Sequence, residues 1–146
     1  MAKFIFRMQN ILNIKGKLEE QAKMEFAHAR MRLDEEEAKL AALAGRKEDY
    51  EEKGRRLRDD KLNVQDIIDN KNAIITIDGY IDIQRFEVKK AEDQLELARL
   101  KLNEAIKERK TYERLREKSY EEFIKEENAS EAKEVDELIS YKHAVK

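Results

Sequence analysis

Histidine is the side chain best matched to proton transfer or metal ligation near neutral pH. This chain has two, His28 and His143, far apart and with no Cys or second ligand type at metal spacing beside either. Acids are more plentiful, as in Glu35-Glu36-Glu37. A carboxylate works as a general acid or base where its surroundings raise its pKa, and a solvated helix without a concave pocket does not. Gly16, Gly45, Gly54 and Gly79 are scattered and follow no strand, so no phosphate-cradling loop is built. Asn128-Ala129-Ser130 has the form of a glycosylation acceptor, which is without consequence in a cytoplasmic protein. The sequence therefore predicts no enzyme, no catalytic residue, no metal site and no cofactor. The chemistry left to it is recognition.

Charge and apolar residues concentrate at the two ends. Residues 1–17 hold Lys3, Arg7, Lys15 and Lys17 and no acid, with Phe4, Ile5, Phe6, Met8, Ile11, Leu12 and Ile14 between them. Residues 117–137 hold nine acids, among them Glu131, Glu134, Asp136 and Glu137, against Lys118, Lys125 and Lys133. One reading is self-complementarity, with the basic segment neutralised by the acidic one. The other is a docking surface, because the N-terminal apolar residues exceed what one two-helix seam buries, and a surplus on a thin fold needs a partner. A basic amphipathic helix can also lie on an anionic membrane, but there is no Trp and the acidic segment opposes it.

These ends must be positioned by long helices. In 146 residues, 44% are charged, none is Pro or Cys, and the mean hydropathy is -0.89. That balance leaves too little apolar surface for a thick core, while the wealth of Glu, Lys, Leu, Ala and Arg favours helix over disorder. A formal charge of -2 gives no basic field for nucleic acid. The apolar run Phe4-Ile5-Phe6 ends at Arg7, far short of the ~20 residues of a membrane span, and no signal peptide is seen. Ile67, Ile74, Ile81, Val88, Leu95 and Leu102 recur every seven residues, and Ile77, Ala91, Ala98 and Ala105 form a second row interrupted by Gln84. A 3.5-residue average spacing kept over this length specifies a coiled-coil seam. The alanines allow close approach, and Arg109, Arg116 and Ser119 dilute the seam before Phe123.

The fold predicted is all-α: a single domain over residues 1–146, built as a long antiparallel two-helix coiled-coil hairpin with a C-terminal helical extension. Helix 1 is expected over about 4–57, a turn at about 58–63 and helix 2 over about 64–127. Asn63 would cap helix 2, with Asp66 in its first turn; a reversal at Asp78-Gly79 is the alternative turn. Residue i should then face a residue near 121 minus i, which sets Phe4 opposite Glu117. In helix 1, Leu43, Tyr50 and Leu57 keep a heptad while Ala29, Leu33 and Leu40 shift phase, which reads as a stutter. Asn128 to Ser130 should interrupt the helix before a final segment at about 129–143 carrying Val135, Leu138 and Ile139.

Lys3-Phe4-Ile5-Phe6-Arg7-Met8-Gln9-Asn10-Ile11-Leu12, followed by Lys17-Leu18-Glu19-Glu20-Gln21-Ala22-Lys23, resembles the N-terminus of the flagellar export protein FliJ family. Glu131-Ala132-Lys133-Glu134-Val135-Asp136-Glu137-Leu138 is similar to that family's C-terminal Lys-x-x-Asp-Glu pattern. The resemblance implies a stalk-like adaptor of the flagellar type III export apparatus, cytoplasmic and peripheral to the inner membrane at the flagellar base. Its implied partners are the hexameric export ATPase, the cytoplasmic part of the export-gate membrane protein and export chaperones, with no nucleic acid and no membrane insertion. Phe4, Phe6, Arg7, Met8, Ile11, Leu12, Lys133, Asp136, Glu137 and Leu138 are the candidate partner-binding residues. A generic homo-oligomerising cytoplasmic scaffold is the competing reading. A prefoldin-like chaperone would need strand-forming segments between the helices, and the one candidate, Ala73 to Ile77, has helical phase.

Overall fold

A computed structural model describes residues 2–59 and 63–145. Two helices, α1 (Gln9–Asp59) and α2 (Val64–Val145), make up the fold, with no strand among the described residues. They pack antiparallel within each of two units. The terminal unit pairs the chain up to residue 21 with the stretch from residue 103 onward, and the inner unit covers residues 22–102.

The inner unit follows from the heptads. Ile77, Ile81, Val88, Ala91 and Ala98 are buried, and Ile67, Ile74, Leu95 and Leu102 are half-buried. Leu33, Val88 and Ala91 form a core cluster, joined by Leu40 and Leu95. Ala91 is only 2% exposed, so its methyl sits where a longer side chain would hold the helices apart. Partner positions here add to 120 for Glu36–Gln84 and Tyr50–Asn70 and to 125 for Lys47–Asp78, within about one turn of the expected 121.

The stutter expected in helix 1 is absent. Lys15, Ala22, Ala29, Glu36, Leu43, Tyr50 and Leu57 form one inward row; Leu12, Glu19, Phe26, Leu33, Leu40, Lys47 and Gly54 form the other. Ala29 thus belongs with Leu43, and Leu33 with Leu40. The heptad runs unbroken, hidden because Lys15, Glu19, Glu36, Lys47 and Gly54 occupy seam positions.

Each polar guest has a partner. Gln84 Nε2 donates to the Glu36 carboxylate (2.6 Å) and to the Glu36 carbonyl (2.9 Å). Lys47 pairs with Asp78 at 2.6 Å. Asn70 Nδ2 donates to the Tyr50 carbonyl at 2.9 Å. Beside that bond Gly54 makes room, since a Cβ there would lie 2.5 Å from Asn70 Oδ1 and would displace that side chain.

α1 ends at Asp59 and α2 begins at Val64; residues 60–62 of the expected 58–63 turn fall outside the described residues. Asn63 Oδ1 accepts from the Gln65 and Asp66 amides at 3.1 and 3.4 Å, capping α2. Asp78 and Gly79 lie inside α2, which excludes the alternative turn.

Two boundaries differ from expectation. α1 starts at Gln9 instead of near Phe4, because Phe4 and Phe6 turn inward while Ile5 is 79% exposed. That alternation has the period of an extended segment, whereas a helix sends i and i+2 to opposite sides. α2 runs unbroken through Asn128-Ala129-Ser130, so the final segment is a continuation of it. Exposed Asn and Ser cost a helix about 0.5 kcal/mol each, too little to break one flanked by Glu, Ala and Lys.

Candidate functional site

No group of three or more His, Cys, Asp or Glu able to hold a metal occurs among the described residues, and His28 and His143 are both exposed on separate helices. No described helix is long and apolar enough to cross a membrane. The residues singled out for recognition all lie in the terminal unit.

Residues 2–8 form an arm laid on α2. The Gln9 amide donates to the Phe6 carbonyl at 3.1 Å, turning the arm into α1. The Phe4 ring meets Tyr120 edge-on at 5.3 Å and Phe123 at 5.5 Å between centroids. The Arg116 guanidinium sits 5.6 Å from the Phe4 ring centre, and its Nε donates to Gln9 Oε1 at 3.0 Å. Phe6 is 8% exposed. A hollow of about 400 Å³ remains between the arm and Ser119, Glu122, Phe123 and Glu126.

Beyond the arm, charged residues share the seam with Leu12, Ala105 and Tyr112. Glu19, 6% exposed, accepts from Arg109, whose Nη1 also reaches Glu113 at 2.7 Å. These two carboxylates raise the Arg109 pKa further, outweighing desolvation. Lys15 pairs with Glu108 at 2.9 Å and lies 6.0 Å from the Tyr112 ring centre; the Glu108 bond holds its ammonium above the usual lysine range. Partner positions here add to 123–128, up to two turns beyond the expected 121, and Phe4 meets Tyr120 and Phe123 in place of Glu117.

The candidate residues thus divide. Phe4, Phe6 and Leu12 face α2, whereas Ile5, Arg7, Met8, Ile11 and Ile14 are exposed. Lys133, Asp136, Glu137 and Leu138 lie on the last part of α2, where every described residue from 128 onward is exposed. Val135, Leu138, Ile139 and Val145 share one side of that segment, rotated about 100° from the row that ends at Phe123. The structure does not bring this stripe to the arm. Sequence reasoning missed Tyr120, Arg116 and Gln9 as partners of the arm; an aromatic pair at i, i+3 in an acidic stretch, Tyr120 and Phe123, was the available signal.

A family model described as the flagellar FliJ protein matches residues 4–146. The chain belongs to the FliJ family. It is similar in fold to a putative YscO homolog from Chlamydia trachomatis, with 22% identity, a TM-score of 0.66, and 98% of this chain and 97% of that one covered. No curated protein matches it in sequence. This FliJ-family chain is a helical coiled-coil protein associated with type III export.

Proposed function

We propose that the protein is a non-enzymatic stalk and adaptor of the flagellar export apparatus. It works in the cytoplasm, at the membrane-embedded flagellar base. Its terminal unit docks into the hexameric export ATPase, and the chain links that ATPase to the export gate and to export chaperones. The observation that carries the docking is the uncovered end of α2. There Val135, Leu138, Ile139 and Tyr141 are about half or more exposed, rimmed by Glu131, Glu134, Asp136 and Glu137. An amphipathic helix left exposed by the described residues is suited to an apolar groove with a basic rim. Ile5, Met8 and Ile11 on the N-terminal side add exposed apolar area in the same unit.

The test is stimulation of the cognate ATPase. A chain carrying Val135→Ser, Leu138→Ser and Ile139→Ser should lose most of its stimulation while keeping its helical circular dichroism, since all three are about half or more exposed. Full stimulation by that variant would refute docking through this surface. One observation favours a scaffold instead: Ile68, Ile75, Ile83 and Phe86 are exposed on a single outer face of α2 around Gly79. Concentration-dependent dimerisation in sedimentation, abolished by Ile83→Asp, would support that reading.

A further inference from the structure

We infer that the N-terminal arm is a latch, and that α1 up to about residue 21 separates from α2 as a unit when the latch lifts, while the inner unit stays paired. Four observations converge. The arm is held through Phe4, which meets Tyr120, Phe123 and the Arg116 guanidinium, and through the buried Phe6. The α1 stretch behind it meets α2 through polar contacts, Gln9–Arg116, Lys15–Glu108 and Glu19–Arg109, beside the half-buried Leu12, where the inner unit has Leu33, Leu40, Val88 and Ala91. Such pairs recover little net free energy once desolvation is counted, and salt screens them. The stretch is also a weak helix: Gly16 interrupts it with nothing near its Cβ position, and its first turn has no acid to meet the helix dipole.

The consequence is linkage. A partner seated on the exposed Ile5, Met8 and Ile11 bears on the arm and on the stretch behind it, so docking there and opening of the zipper are coupled. That coupling rests on the docking reading; the opening itself does not.

Native-state hydrogen exchange on the full-length chain without any partner tests the opening. In the wild type, amides of residues 13–21 should exchange through a sub-global opening with a smaller denaturant dependence than amides of residues 29–50. Phe4→Ala/Phe6→Ala should speed exchange of residues 13–21 on the order of 100-fold and that of residues 29–50 less than about 3-fold. Phe4→Leu/Phe6→Leu should restore most of the protection. In the alanine variant, raising salt towards 1 M, where the Debye length is about 3 Å, should speed the same amides further. A wild type in which both regions exchange through one global opening would overturn the latch, whether or not the variants fold. So would an alanine variant with unchanged protection at residues 13–21. A latch that passes while ATPase stimulation fails would remove the docking reading alone.

Discussion

In the inner unit apolar side chains fill most seam positions and polar residues are guests; in the terminal unit the proportion inverts. Ile77, Ile81, Val88, Ala91 and Ala98 are buried in the first, while Lys15, Glu19, Arg109 and Arg116 take heptad positions in the second. Burying Ile or Leu from water contributes about 1.5–3 kcal/mol per side chain. A buried ion pair contributes little net, yet it discriminates sharply among registers, because a slip strands a charge. The inner unit therefore supplies stability. The terminal unit supplies alignment and, beyond Glu127, carries the exposed stripe that the proposed docking would use.

Substitutions can break this contrast. The largest effect should come from Ala91→Glu, which puts a charge where the residue is 2% exposed; a loss of at least about 3 kcal/mol is expected in urea unfolding. An unchanged midpoint would mean that the helices do not approach closely at Ala91. Leu33→Ala should follow, at about 2–3 kcal/mol, the low end for a buried leucine because the fold is thin. Arg109→Leu should destabilise, since it leaves the Glu19 carboxylate buried without its guanidinium. The double variant Glu19→Leu/Arg109→Leu should recover the loss or exceed wild type, a rescue visible in a thermal melt. Failure of that rescue would make the pair a source of stability, against the reading of the terminal seam.

Much of the inner unit was legible because its apolar residues mark their own period, and Asn63 marked the start of α2 through its capping chemistry. α1 was harder to read for the converse reason. With Lys15, Glu19, Glu36 and Lys47 on the seam, hydrophobicity alone reports a phase slip where the geometry has none. The arm reads as helix because Phe4, Met8 and Ile11 also fit a helical spacing, and the alternation at 4–6 is only three residues long. Glu19–Arg109 spans 90 positions, so naming it from sequence needs the register to within a turn, and the expected register was off by that much or more.

Smaller effects sharpen the comparison. Gly45→Ala should stabilise by about 1 kcal/mol, as should Gly16→Ala, because both have open space and ordinary helical backbone. Gly54→Ala should gain nothing or lose, since the added methyl displaces Asn70 from the Tyr50 carbonyl. The pH dependence should be a broad plateau. Hydrogen bonds from Gln84, Arg55 and Arg99 lower the pKa of Glu36, Glu52 and Glu96 respectively, so their contribution is present above about pH 4.3, the ordinary value, and is lost as pH falls through the lower folded values. Bonds to Glu108 and Asp78 raise Lys15 and Lys47, whose contribution is complete below about pH 10.4 and lost as pH rises through the higher folded values. Unfolding free energy measured against pH should therefore be nearly flat from about 5 to 10.

The division of labour between the units is tested most directly by site-specific photo-crosslinking in a mixture with the cognate export ATPase. A benzophenone side chain is placed either at Leu138, which is 61% exposed in the terminal unit, or at Ile75, 64% exposed in the inner unit. The account predicts a crosslink to the ATPase from position 138 and none from position 75. A crosslink from position 75 with none from position 138 would contradict it.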